Sequence, residues 1–361
     1  MMSGDVLTER ERRVLEAVIR TYVETAEPAG SRVVSKRYAL GVSPATVRNT
    51  MADLEEKGFL YHPHTSAGRV PTDRAYRYYV DTLMRPVRLT AAEQRRLRRE
   101  LEEEEGTAPL EWLIRRATQV LGLLTGELGV AIAPSLDETV LEKIELVSVA
   151  SDKVLLVLTL GSGRIRTVYV DLPGTVPPQT LVSVTMVLNE RLAGLTLSQV
   201  RQTLPERLRD SAPIDNASAT ELLNVFLQAA EDLFDRSSAE GLHLGNASVL
   251  ANQPEFASES GLKGLIELTE RRDLLASVLG DRLGSASVHI TIGGENADPV
   301  LTPFTLVTSP YRSGSLSGVI GVIGPTRMSY EKVAAIVRHT SSLLSELMGG
   351  TADDADHTFV A

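Results

Sequence analysis

Apolar positions over the first ninety residues recur at helical spacing, with regular breaks. Thr8 to Glu11 forms a T-x-x-E capping box that opens a helix, and Val14, Leu15, Val18, Ile19 and Tyr22 then share one stripe. Pro28 and Gly30 end that element. A second, shorter helix is expected over 31–39, with Val34 and Tyr38 one turn apart and Gly41 as its C-terminal cap. Ser43 caps a third helix that has Pro44 at its first position, where a missing N–H costs nothing. Val47, Met51 and Leu54 form the buried face of this helix and Gly58 ends it. Phe59-Leu60-Tyr61 reads as a strand, Ala67-Gly68 as a turn and Val70-Pro71 as the return. Thr72 or Asp73 then caps a fourth helix, with Tyr76, Tyr79, Val80 and Leu83 on one face, which breaks at Pro86.

Beyond residue 88 the texture changes. The run QRRLRRELEEEE within 90–105 reads as a charged helix or linker, and Trp112 to Leu124 as an amphipathic helix. GVAIAP, KIELVSVA, KVLLVLTLG and RIRTVYVDL are short strands separated by Ser151-Asp152 and Gly161-Ser162-Gly163, which predicts an antiparallel meander. Residues 181–283 are mainly helical in pattern, and strands resume at VHITIG, FTLVTSPY and LSGVIGVIGP. A last helix is expected over 329–348, with Val333, Ile336, Val337, Thr340, Leu344 and Leu347 inward, followed by a disordered tail at 350–361. Two strand groups divided by a helical stretch predict one α/β domain interrupted by an insertion.

Composition narrows the class. With 361 residues, 43% hydrophobic and 23% charged, the chain reads as a globular protein of two or three domains. It has no long apolar run and no apolar leader after MMSGDVLTERERR, which fits a cytoplasmic protein without a membrane span. The absence of cysteine removes disulfides, thiolate metal sites and cysteine catalysis. The net charge of −10 is unevenly spread: residues 1–88 carry 14 Lys+Arg against 11 Asp+Glu, net +3, and the remainder 23 against 36, net −13. An acidic bulk behind a basic end suits a protein that meets DNA at one place and avoids it elsewhere.

The third helix and the ribbon after it carry the candidate chemistry. In a helix-turn-helix the first turns of the second helix face base edges. Here those positions are Ala45, Thr46, Arg48 and Asn49. Arg suits a guanine O6/N7 pair, Asn an adenine N6/N7 pair, and Ala or a Thr methyl a thymine methyl. The Ser43 hydroxyl and the helix N-terminus suit phosphate, as does Lys36. The ribbon tip HPHTSAGR offers His62, His64, Thr65, Ser66 and Arg69 to phosphate or the minor groove. An ordinary surface helix and an exposed turn are the plain alternatives. His62-x-His64 as a metal pair is disfavoured, because two His without a third ligand make a weak set. Gly161-Ser162-Gly163-Arg164 lacks the Gly-Lys-Ser/Thr of a phosphate loop and reads as a hairpin turn. No catalytic constellation, cofactor or metal site is found, so an enzyme is not expected.

LGVSPATVRNTMADLEEKGFL and PHTSAGRVPTDRAYRYYVD resemble the heat-inducible transcription repressor HrcA family of bacteria. NQPEF at 252–256, IGGEN at 292–296 and GVIGVIGPTRMSY at 318–330 are similar to the same family, so the likeness spans most of the chain. The resemblance implies an α+β multidomain protein: an N-terminal winged helix-turn-helix (1–88), a charged helical linker (89–108), a discontinuous GAF-like α/β domain (109–190 and 284–349) and an inserted, mainly helical dimerising domain (191–283). It also implies a homodimer that binds an inverted-repeat operator, CIRCE, in double-stranded DNA upstream of heat-shock genes, with the chaperonin GroEL as modulator and release on heat shock. A second reading is a small-molecule sensor, in which the sheet from Gly129 to Val170 encloses the ligand.

Overall fold

A computed structural model of the chain describes residues 7–64, 68–102, 110–134, 139–161, 164–172, 174–209, 217–228, 241–313 and 316–348. The tail expected at 350–361 lies outside these, as do Thr65 and Ser66. The fold is α+β, in two compact units: Met1–Ala133 with Leu242–Ala361, and Pro134–Gly241.

The first unit opens with three helices, α1 (Glu9–Thr25), α2 (Ser31–Arg37) and α3 (Pro44–Glu56), then an antiparallel ribbon of β1 (Leu60–Tyr61) and β2 (Val70–Pro71), and α4 (Asp73–Tyr78) running into a π turn over Tyr79–Leu83. The capping box forms: Glu11 N donates to the Thr8 hydroxyl, and the Glu11 carboxylate accepts from Thr8 N at 2.8 Å. Val14, Leu15, Val18, Ile19, Val34, Val47, Met51 and Leu54 are all buried together. Helix α2 stops two residues short of the expected end, because Ala39 turns left-handed at φ 43°. The ribbon gains a third rung from the α1–α2 connection, where Ala29 and Arg69 exchange backbone hydrogen bonds of 2.8 and 3.0 Å. Gly68 makes that possible, since a Cβ there would sit 2.5 Å from the Ala29 carbonyl.

The charged run, read as a helix or linker, is a helix, α5 (Ala91–Leu101), capped by a Thr90–Glu93 box. Its charges hide a two-residue apolar edge: Leu97 and Leu101 are each 1% exposed and join the main core. After α6 (Leu110–Thr125) and β3 (Leu128–Ile132) the chain leaves this unit. It returns through β7 (Leu242–Leu244), α10 (Ser248–Ala251), α11 (Glu259–Glu270), α12 (Arg272–Gly280), β8 (His289–Ile292), β9 (Phe304–Ser313), β10 (Leu316–Pro325) and α13 (Tyr330–Leu347). The strands form one antiparallel sheet in the order β7-β3-β10-β9-β8. Both faces are covered. Ile320, Val322 and Val307 pack on the side of α6 and α13, whereas Val319, Ile323 and Leu306 pack with α11 and α12. Burial on both sides explains the unbroken apolar texture of GVAIA and GVIGVI.

The second unit contains β4 (Leu141–Ala150), β5 (Lys153–Leu160) and β6 (Arg164–Asp171) in a three-stranded antiparallel meander, with α7 (Pro178–Leu192), α8 (Leu197–Arg209) and α9 (Ala217–Gln228). Ile144, Val154, Leu156, Leu158 and Val170 face the helices. Asn189 on α7 covers the free edge of β4, accepting from Ile144 N at 2.8 Å and donating to its carbonyl at 2.7 Å.

Two expectations are thereby corrected. GVAIAP is not the first strand of the meander. It pairs with β10 and β7, since all five residues of β3 are buried, whereas β4 to β6 alternate in and out. The insertion accordingly spans 134–241 instead of 191–283, and it carries a sheet of its own. Residues 242–283 belong to the first unit, because Leu242, Leu250, Phe256, Leu265 and Leu275 pack in the core under the five-stranded sheet. The sheet imagined from Gly129 to Val170 therefore does not exist as one surface.

The distant sequence motifs converge on the N-terminal helices. Arg77 on α4 grips Glu295 with both sides of its fork, at 2.7 and 2.6 Å, and also donates to the Ile290 carbonyl at 2.6 Å and to Asp81 at 3.1 Å. Asp73 accepts from Gly294 N at 2.9 Å. Gly293, at φ +56°, leaves room for that carboxylate, which a Cβ would meet at 1.9 Å. Arg327 pairs with Glu255 at 2.5 and 3.0 Å and donates to the Val23 carbonyl of α1 at 2.9 Å. Tyr79 donates to Glu331, and Tyr76 packs on Tyr330 with ring centroids 5.7 Å apart. IGGEN, NQPEF and PTRMSY are thus the sockets into which α1 and α4 are fastened.

Arg77→Ala removes one of these fasteners from a site only partly open to water. It is expected to cost about 1–3 kcal/mol and to lower the melting temperature of the full chain. An unchanged melt would contradict the role given to Arg77.

Behind NQPEF lies Glu127, 5% exposed, whose carboxylate accepts from Gln253 at 3.0 Å. Burial pushes the Glu127 carboxyl up to about 8 from 4.5. The folded chain thus keeps a proton that the unfolded chain has released. This contribution is fully present below the unfolded value and is lost as pH rises through the folded one. The wild type should lose stability between about pH 5 and pH 8, and Glu127→Gln should lose less. Parallel melting-temperature profiles for the two proteins would refute the assignment.

Candidate nucleic-acid interface

Helix α3 is held from behind and at both ends. At its N-terminus the Ser43 hydroxyl accepts from Thr46 N at 3.1 Å and shares a hydrogen bond with the Thr46 hydroxyl at 3.0 Å. Ser43 is therefore first a helix cap, and its hydroxyl keeps only its remaining lone-pair capacity. At the C-terminal end Arg74 donates to the Lys57 carbonyl at 2.9 Å and stacks over Phe59 at 4.8 Å. Lys57 reaches back to Glu11 on α1 at 2.7 Å. That Lys57 bond holds the Glu11 carboxyl below its usual range, against the opposing pull of burial.

With its back fixed, α3 presents Ala45, Arg48 and Asn49 to solvent, with Thr46 half-buried beside them. Three of the four sequence-predicted base-reading positions thus share an exposed surface. Lys36 on α2 is exposed as well. Among the described residues neither Lys36 nor Arg48 has an ion pair or hydrogen bond from its side chain, so both cations are available. Arg32, also on α2 and exposed, is equally unpaired within the described residues. The sequence reading missed it. Its only signal was a place one turn before Lys36 on a helix whose buried face is marked by Val34.

At the ribbon His62 and His64 are exposed, while Thr65 and Ser66 fall outside the described residues. No group of three or more His, Asp or Glu suited to a metal occurs among the described residues. Arg69 departs from expectation. Its side chain is 16% exposed and pairs with Glu55 of α3 at 2.7 Å, and its backbone bridges Ala29. A carboxylate five residues before the ribbon draws the guanidinium inward, so Arg69 braces the ribbon against α3 and does not face outward. The structure sorts the basic side chains in this way: Arg37 pairs with Glu24, Lys57 with Glu11 and Arg69 with Glu55, leaving Arg32, Lys36 and Arg48 for a ligand.

Chemically, this surface offers a guanidinium, an amide and a small apolar side chain on α3, beside the positive N-terminal end of that helix, with two further cations on the neighbouring α2. Among the described residues no helix is long and apolar enough to cross a membrane.

Known proteins place the whole chain. Residues 111–334 match the family model described as the HrcA protein C-terminal domain. The heat-inducible transcription repressor HrcA of Chlorobium limicola is 38% identical over 357 residues, covering 95% of this chain and 98% of its own length. The same repressor of Chlorobaculum tepidum is 38% identical over 356 residues, again covering 95% and 98%. A crystal structure described as that of a hypothetical protein superposes with a TM-score of 0.59 at 22% identity, covering 95% of this chain and 99% of that one, which supports the fold. By its matching domain and its full-length relatives, the chain belongs to the HrcA family of heat-inducible transcription repressors.

Proposed function

We propose that this chain is a sequence-specific repressor of heat-shock genes, and that α1 to α4 with the ribbon are a winged helix-turn-helix carrying its DNA contact. The observation that carries this reading is the exposed, unpaired Arg48 beside Asn49 on a helix whose other face and ends are fully engaged. In this reading α3 enters the major groove, where Arg48 and Asn49 meet base edges and Ala45 and Thr46 meet thymine methyls. Lys36 and Arg32 contact phosphates flanking the groove, while His62, His64 and the ribbon tip with Thr65 and Ser66 reach the backbone or the minor groove. Ser43 acts through the capped helix end, and Arg69 acts indirectly by holding the ribbon against α3.

Arg48→Ala should weaken binding to an inverted-repeat operator by about 1–3 kcal/mol and relax preference at one base pair. Lys36→Ala should weaken all sequences alike and flatten the salt dependence. Fluorescence anisotropy against a set of singly substituted operators measures both. Undiminished, equally selective binding by Arg48→Ala would remove Arg48 from the contact.

The operator in this proposal is the CIRCE inverted repeat, bound by a homodimer in the cytoplasm. The five-stranded sheet with its covering helices is taken as the GAF-like domain and the 134–241 unit as the dimerising insertion. Support for the last point is the outer face of the β4-β5-β6 sheet, where Val147, Ile165 and Tyr169 are 48%, 68% and 65% exposed beside half-buried Leu155 and Val157. A contiguous apolar face of this kind on a folded unit suits a self-complementary two-fold contact. The chaperonin GroEL is proposed to sustain the active repressor until heat-denatured proteins occupy it. Ile165→Lys combined with Tyr169→Lys should convert the dimer to a folded monomer in analytical ultracentrifugation and lower operator affinity. A persistent dimer would place the contact elsewhere.

A further inference from the structure

Beside the edge strand β8, α12 and the loops over 281–301 enclose an open cleft of about 550 Å³. Leu274 and Val278 give it an apolar surface, and Arg282 lines its wall. Arg282 is 6% exposed. Its Nη1 donates to the Thr308 hydroxyl at 3.0 Å and its Nη2 to the Thr291 hydroxyl at 2.6 Å. Thr291 donates onward to Asn296 Oδ1 at 2.8 Å, and the Asn296 amide is fixed by the carbonyls of Gly293, Leu301 and Phe304. The guanidinium is therefore rigidly aimed.

Its charge, however, has no ion-pair partner in contact among the described residues. A guanidinium has five N–H donors, and the two threonine hydroxyls are its hydrogen-bond partners among the described residues. No carboxylate among those residues lies within 4.0 Å of it. Arg77 and Arg327 in the same unit each take both oxygens of a carboxylate. Taking an ion out of water is costly unless a partner of opposite sign is present. Burial draws the Arg282 guanidinium down to about 10, with Asp281 opposing, so it stays charged at neutral pH.

The surroundings restrict what could answer that charge. Asp281 and Asp298 line the same cleft and would repel a polyanion. The apolar lining suits hydrocarbon. His289 is held below its usual value by burial and by Arg282 and Arg77, which leaves it a neutral hydrogen-bonding group.

We propose that this cleft binds a small organic monocarboxylate, with the carboxylate on Arg282 and the hydrocarbon body on Leu274 and Val278. Glu295 lines the cleft and also holds Arg77, so the occupant lies beside the ion pair that fastens α4.

The test is calorimetric titration of the full-length protein with 4-methylpentanoate and benzoate, their carboxamides, and inorganic phosphate. The acids should bind, with the amides about tenfold weaker or more and phosphate no tighter than the amides. Arg282→Met, of similar bulk but uncharged, should abolish the preference for acid over amide. Ala297→Trp, at an exposed position lining the cleft, should weaken acid and amide together with Arg282 intact. If circular dichroism shows that Arg282→Met does not fold, the acid-to-amide ratio of the wild type and the loss in Ala297→Trp decide the matter. Equal binding of acid and amide, tighter binding of phosphate, failure of both acids to bind, or undiminished binding by Ala297→Trp each overturns the proposal.

Discussion

The guanidinium of Arg77 is committed wholly to internal partners: both oxygens of Glu295, the carbonyl of Ile290 and the carboxylate of Asp81. That interaction, with Asp73 on the backbone of Gly294, fixes α4 to the five-stranded sheet. Arg327 does the same for the end of α1 through Val23 and Glu255. Helix α3 makes no such contact itself. It is held through its neighbours, by Glu11 of α1 on Lys57 and by Arg74 of α4 on the Lys57 carbonyl. The exposed face of α3 therefore inherits its position from ion pairs on the far side of the helical bundle. Any change in the sheet that moved Glu295 or Arg327 would act on α3 through this chain of contacts.

The same economy governs the basic residues. A charge that serves as a brace is unavailable as a ligand, and one kept free needs a helix held in place by other means. Arg69 illustrates the first case and Arg48 the second. Arg282 belongs to neither group: it is buried, rigidly held and without a counter-charge among the described residues, which sets it apart from Arg77 and Arg327 in the same unit.

Much of the N-terminal region was legible because its signals are local. The Thr8–Glu11 box, Pro44 at the first turn and the stripe Val47, Met51, Leu54 depend on residues within one or two turns of each other. The exposure of Ala45, Arg48 and Asn49 followed from that stripe. The inward pairing of Arg69 was not legible because nothing in the order of residues marks Glu55 of α3 as its partner. The packing of α5 was not legible because Leu97 and Leu101 are a small minority in a charged run, and only the core they enter reveals their weight.

The sequence by itself determined most of the helices and strands, that the basic charge gathers at one end, and which family the motifs resemble, since each of these rests on local periodicity or composition. The tertiary structure decided which sheet each strand joins, where the insertion begins and ends, and why IGGEN, NQPEF and PTRMSY, so distant in the chain, meet α1 and α4. Strand partnership depends on which faces are buried, and β3 is covered on both sides whereas β4 is not. Charge pairing depends on approaches of a few ångströms between residues more than two hundred positions apart, such as Arg77 and Glu295. That closeness exists only once the chain has folded.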